Sequence, residues 1–130
     1  MESNASIPRK RHVLIVDDNV QLAHFFEEIL KLHGYDATVF LDGAEALKYA
    51  SVNPADAVIC DLQMPGLEGD LFYATIERVN SPLARRFIFV TGRADDERYQ
   101  KFLRTVEVPV LRKPVPVELL LAQIERVTKL

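Results

Sequence analysis

A doubly wound α/β sandwich, built on a five-stranded parallel sheet with helices on both faces, is the fold class this sequence predicts. Three observations lead to it. Short β-branched apolar runs alternate along the chain with longer stretches of helical spacing, and the connectors between them are short. The chain has 130 residues, 48% of them hydrophobic and 27% charged, which suits one compact domain and is too little for two. Five strands alternating with five helices imply right-handed crossovers, and therefore a parallel sheet covered on both sides.

His12-Val13-Leu14-Ile15-Val16 is a continuous apolar run without period-two alternation, as a strand covered on both faces requires. Asp17-Asp18-Asn19 then offers cap-competent side chains, and a helical pattern runs to about His33, stopped by Gly34 at a C′ position. Tyr35 to Phe40 is a second strand. Asp42-Gly43-Ala44-Glu45 has capping-box spacing and opens a helix of two or three turns that ends near Pro54. Ala55 to Cys60 is a third strand, delivering Asp61 at its C-terminal end. Pro65 to Gly69 is a turn, and Asp70 to Asn80 is helical. Phe87 to Val90 is the fourth strand, followed by Thr91-Gly92. Ala94 to Arg104 is helical, Val108 to Leu111 is a fifth strand placed at an edge by its proline, and Val117 to Lys129 is the last helix.

Residues 1–10 are expected to be a flexible tail, with Pro8-Arg9-Lys10-Arg11 a solvated basic flank, and residues 11–130 the domain. A single cysteine, Cys60, excludes an intramolecular disulfide and a Cys-rich zinc site, and is expected to be a small buried apolar residue. The absence of an apolar signal run or membrane-length segment makes the cytoplasm the expected location. A net charge of -3, from 16 Lys+Arg against 19 Asp+Glu, argues against direct nucleic-acid binding. His12, His24 and His33 have no metal-ligand spacing and are expected at the surface or its boundary.

In an open parallel sheet, ligands bind beyond the carboxyl ends of the strands, where the strand order reverses. The first strand delivers Asp17 and Asp18 there, the third Asp61, the fourth Thr91, and the fifth Lys113 just past its end. Taken singly, each has an ordinary structural explanation: a helix cap, a strand-end threonine, a solvated lysine. Their joint placement is what points to chemistry. Three crowded carboxylates raise one another's pKa unless a cation intervenes, and an oxygen-only set suits Mg2+. With the lysine, the formal charge is roughly -2, which one divalent ion neutralises. A phosphoryl group would then find a nucleophile in Asp61, donors in Thr91 and Lys113, and a close backbone N–H at the small Gly92.

These residues resemble the receiver domain of two-component response regulators, the fold shared with the chemotaxis response regulator. The resemblance rests on Asp17-Asp18, on Asp61-Leu62-Gln63-Met64-Pro65-Gly66-Leu67-Glu68-Gly69 (a D-x-x-M-P-x-x-x-G pattern), on Thr91-Gly92 and on Lys113-Pro114, and spans residues 11 to 129. It implies a flavodoxin-like strand order 2-1-3-4-5. It further implies that Asp61 is phosphorylated from a phosphohistidine on a histidine kinase or histidine phosphotransfer protein. Mg2+ would be held by Asp17, Asp18, Asp61 and the backbone carbonyl of Gln63. Lys113 would bind a phosphoryl oxygen, Thr91 would swing toward it, and the Lys113-Pro114 peptide would be cis, for which proline lowers the cost to about 0.5–1 kcal/mol. Gln63 and Arg93 would flank the phosphoryl site. Self-catalysed transfer and dephosphorylation are implied, without turnover of a separate substrate, and a weak homodimer is allowed for.

Two departures bear on mechanism. Val110 stands where the family usually has an aromatic that turns inward when the threonine moves, and Val115 replaces a common phenylalanine. The run from Phe102 to Pro114 looks most like receivers fused to hybrid histidine kinases. In the first helix, Leu22, Phe25, Phe26, Ile29, Leu30 and Leu32 span an arc of roughly 160°, wider than a core stripe needs. Phe25 and Leu32 lie at its edge and are expected to stay partly exposed, so Leu22 and Phe25 are candidates for docking the phosphodonor. The plainer account is that the excess packs under a neighbouring helix.

Other functions fit less well. A flavin electron carrier needs a phosphate-holding loop where Asp17-Asp18 would repel one. An aspartyl-phosphate phosphatase needs a second acid two residues after its nucleophile, where this chain has Gln63, and a lid for which there is no room. A phosphorylation-independent receiver-fold interaction module is the main alternative, supported by Val110.

Overall fold

Five strands form the central sheet of the computed structural model, which describes residues 9–130. They are β1 (His12–Val16), β2 (Asp36–Phe40), β3 (Ala57–Cys60), β4 (Phe87–Thr91) and β5 (Val110–Arg112). All pair in parallel, in the order β2-β1-β3-β4-β5. The chain therefore reverses direction across the sheet between β1 and β3, which opens a crevice at the carboxyl ends of these two strands. Residues 1–8, which hold most of the expected tail, lie outside the described residues.

Strand residues alternate between two cores, because successive side chains point to opposite faces. Val13, Ile15, Ala57, Ile59, Ile88 and Val90 face α1 (Val20–Leu32) and α6 (Val117–Thr128), which contribute Ala23, Phe26, Leu30, Leu120, Ile124 and Val127. Leu14, Val16, Val58, Cys60, Phe87 and Phe89 face the other way. There they meet α2 (Gly43–Val52), α3 (Gly69–Val79), the single-turn α4 (Ser81–Ala84) and α5 (Glu97–Thr105). Tyr73 packs edge-on against Phe87 with ring centroids 5.1 Å apart, and Phe102 meets Phe89 at 5.3 Å. The fully buried Phe87 and Phe89 each contribute roughly 1.5–3 kcal/mol through the area they remove from water.

The caps explain where the helices begin. Asn19 caps α1 by accepting from the Leu22 N–H, and Gly34 follows its C-cap at φ 90°. Asp42 accepts from the Glu45 N–H at 2.9 Å, whereas the Glu45 carboxylate lies 3.7 Å from Lys48, so one arm of the expected capping box forms. The helix expected from Ala94 starts at Glu97 instead, because Asp96 accepts from the Arg98 N–H and fixes the entry there. The strand expected from Val108 begins at Val110; Pro109, which has no N–H, supplies only its carbonyl, to Phe89 at 2.9 Å. The unforeseen α4 is too short for a helical period and is capped by Asn80. Arg9 and Arg11 are tied down: Arg9 binds Asp56 at 3.1 and 3.2 Å, and Arg11 donates to Thr128. No helix among the described residues is long and apolar enough to cross a membrane.

Candidate functional site

Backbone pairing carries the strand ladders one residue past their ends and so places the acidic groups. The Asp17 N–H donates to the Phe40 carbonyl at 3.0 Å, and the Asp61 N–H to the Val16 carbonyl at 2.9 Å. On the other side, the Lys113 N–H donates to the Thr91 carbonyl at 3.0 Å. Asp17, Asp61, Thr91 and Lys113 are thus held at one end of the sheet by main-chain bonds, independently of their side chains.

Asp17, Asp18 and Asp61 each offer a carboxylate oxygen within 4.8 Å of the others, with Asp17 and Asp61 buried and Asp18 exposed. Lys113 Nζ lies 3.0 Å from Asp17 Oδ2 and 3.1 Å from Asp61 Oδ2. The second oxygen of Asp17 accepts from the Asn19 N–H at 2.9 Å. Asp18 forms no ion pair among the described residues, so its charge is uncompensated there. Burial, and then the neighbouring Asp17 carboxylate, push the Asp61 pKa up against the pull of Lys113. Burial works against the Lys113 ammonium, but its hydrogen bonds and the charges of Asp17 and Asp61 outweigh that and raise its pKa. The Cys60 thiol beneath the site is driven up by burial and by the same acids, and is inert.

A cleft of about 560 Å³ opens above these groups, lined by Asp18, Asp61, Gln63, Glu68, Arg93 and Lys113 among others. Gly92 also borders it, and a Cβ there would meet nothing within 4 Å. Thr91 is fully buried, and its Oγ1 accepts from the Arg93 N–H at 2.8 Å, so the hydroxyl is engaged by its own loop. The Lys113-Pro114 peptide is cis. Phe25 stands 45% exposed on α1 beside the half-buried Leu22, and neither lines the cleft. Val110 is half-buried against the core.

Gly69 has a fixed requirement: a Cβ there would overlap the Asp61 carbonyl. Two residues of the site region escaped the sequence reading. Glu68 occupied an unspecified position of the D-x-x-M-P-x-x-x-G pattern, yet it lines the cleft and accepts a hydrogen bond from the Tyr99 hydroxyl. The available signal for Tyr99 was an aromatic set among Glu97, Arg98, Gln100 and Lys101.

A family model described as "Response regulator receiver domain" matches residues 13–125. The tetrathionate response regulatory protein TtrR of Salmonella typhimurium is 31% identical over 112 residues, 86% of this chain and 53% of that protein. This chain therefore spans about half the length of that regulator. The probable chemotaxis protein CheY of Rhizobium etli is 31% identical over 123 residues, covering 94% of this chain and 95% of its own. Among solved structures, the receiver domain of sensor histidine kinase PA1611 from Pseudomonas aeruginosa PAO1, with a magnesium ion coordinated in its active site cleft, superposes with a TM-score of 0.82 at 25% identity. That superposition covers 94% of this chain and 100% of the other. A chemotaxis protein and the receiver of a sensor kinase both stand among these similarities, so the likeness is to receivers in general and does not single out hybrid kinases.

Proposed function

Because the chain belongs to the response regulator receiver domain family of two-component systems, we propose that residues 11–130 accept a phosphoryl group onto Asp61 from a phosphohistidine of a partner protein. The observation that carries this reading is the gathering of Asp17, Asp18, Asp61 and Lys113 at the point where the sheet order reverses.

The donor set fits a hard divalent cation. Three carboxylates and one ammonium sum to -2 by formal charge, every donor is oxygen, and Asp18 has no cationic partner among the described residues. Asp17, Asp18, Asp61 and the backbone carbonyl of Gln63 would hold Mg2+. When bound, such an ion offsets the negative charge of the phosphoryl oxygens and aligns them with the acceptor.

In the transfer, an ionised Asp61 oxygen attacks phosphorus, the P–N bond to the donor imidazole breaks, and the bonding pair leaves with the imidazole. Lys113 favours the ionised form of Asp61 against burial, then hydrogen-bonds an oxygen of the acyl phosphate. Thr91 reaches the same group once its hydroxyl gives up the Arg93 N–H, and the Gly92 backbone approaches unhindered. Gln63 and Arg93 border the space through which water reaches the acyl phosphate. No separate substrate is turned over: the chain transfers the group to itself and later hydrolyses it.

A histidine kinase or histidine phosphotransfer protein in the cytoplasm is the donor, docking on Leu22 and Phe25 of α1. The phosphorylation-independent module is not favoured, since every group required for transfer is present. Incubation with Mg2+ and acetyl phosphate, followed by mass spectrometry, tests the reading. The intact chain is expected to gain one phosphoryl group and Asp61→Asn none; an adduct that persists in Asp61→Asn, or no adduct on the intact chain, overturns it.

A further inference from the structure

Helix α5 is strongly charged, and its one fully buried side chain is Tyr99, only 1% exposed. Phe102 and Leu103 lie partly buried on the same side, and the Arg98 guanidinium covers the Tyr99 ring at 5.2 Å. A buried phenol needs a partner for its hydroxyl. Tyr99 finds Glu68, thirty-one residues away, and donates to its Oε1. Glu68 sits at the N-cap of α3 but makes no side-chain cap bond there; its carboxylate is turned to Tyr99 instead. Burial and the Glu68 contact push the Tyr99 pKa well up, so the phenol stays a neutral donor.

Glu68 also borders the cleft that contains Asp61 and Lys113. Helix α5 is consequently joined to the acidic site twice: covalently, through the loop from Thr91 to Asp96, and laterally, through Tyr99 and Glu68. Val110 on the neighbouring strand has no ring to turn and no polar atom to engage the cleft.

We propose that the Glu68–Tyr99 hydrogen bond is a latch that holds α5 in its resting position and opens when a phosphoryl group occupies the cleft. This rests on Asp61 being the phosphoacceptor. A phosphoryl group adds negative charge to a cleft already bordered by the Glu68 carboxylate and displaces that side chain by repulsion. At the same moment, the movement of Thr91 pulls on the loop that leads into α5. With the bond gone, α5 loses its lateral tether to the cleft and follows the loop.

Hydrogen exchange of residues 97–105, followed by mass spectrometry with and without beryllofluoride and Mg2+ as a phosphoryl mimic, tests the latch. In the intact chain, exchange in α5 should rise several-fold on loading. Tyr99→Phe keeps the ring and should show the raised exchange before loading, with little further change. Glu68→Ala, which leaves the core untouched, should reproduce that behaviour. Glu68→Gln keeps an acceptor without the charge and should stay protected in both states.

Wild-type protection in unloaded Tyr99→Phe and Glu68→Ala, with the normal increase on loading, overturns the latch alone. Failure of the intact chain to bind beryllofluoride at Asp61, seen by fluorine NMR, overturns the latch together with the phosphoacceptor reading.

Discussion

Lys113 reaches across the end of the sheet to place its ammonium 3.0 Å from Asp17 Oδ2, joining the segment after β5 to the segment after β1. The same nitrogen lies 3.1 Å from Asp61. One cation thus stands between two buried carboxylates, while a third carboxylate, Asp18, is exposed. The Lys113 charge opposes the rise that burial and Asp17 impose on the Asp61 carboxyl, and so favours its ionised form.

Lys113→Met should therefore destabilise the fold by about 1–3 kcal/mol in the presence of a chelator, because two buried carboxylates lose their shared partner. Mg2+ should restore a substantial part of that loss by replacing the missing positive charge. Urea denaturation in EDTA and in Mg2+ measures both effects, and equal stability of variant and wild type in EDTA contradicts the argument.

Gly69→Ala should push on the Asp61 carbonyl, since the added Cβ has no free space. The expected result is a loss of about 1–3 kcal/mol and slower phosphoryl uptake. Gly92→Ala, with nothing within 4 Å of the new Cβ, should keep its stability within roughly 0.5 kcal/mol. Thermal melting of the two variants side by side separates backbone crowding from any general effect of replacing glycine.

Phe25→Gln should slow phosphotransfer from a phosphohistidine protein several-fold while leaving uptake from acetyl phosphate unchanged. The ring is 45% exposed, so folding stability should fall by less than about 1 kcal/mol. Equal rates with the protein donor would assign Phe25 to packing at the edge of α1.

Asp56 ties the start of β1 to the start of β3 by accepting from the His12 N–H at 2.7 Å and from Arg9. Burial raises its pKa, but the His12 bond and the Arg9 charge outweigh that and leave it below the ordinary 3.8. A carboxylate depressed in the folded state adds stability above its unfolded pKa and loses it as pH falls through the folded value. Asp56→Asn should cost about 1 kcal/mol near neutral pH, discounted for the exposed Arg9. The difference from wild type should shrink as pH drops below 3.8, which denaturation midpoints at neutral and acid pH would show.

Alternation of apolar runs with helical spacing was enough to determine the parallel sheet and its two cores. Val13 to Val16, Val58 to Cys60 and Phe87 to Val90 are buried on both faces, as uninterrupted apolar strands must be. The placement of Asp17, Asp61 and Lys113 was equally legible, because each follows directly on a strand whose end the topology brings to one edge. Element boundaries were less so. Asp96, not Ala94, opens α5, and a single turn at Ser81–Ala84 has no period to detect.

Only the tertiary structure decided how the polar side chains pair. Lys113 divides itself between Asp17 and Asp61, Arg9 crosses to Asp56, and Glu68 leaves its own helix cap for Tyr99. Apolar burial follows a repeat of two or 3.6 residues, which any short stretch displays. A hydrogen bond between residues tens of positions apart depends on where two separate elements come to rest, and no local repeat records that.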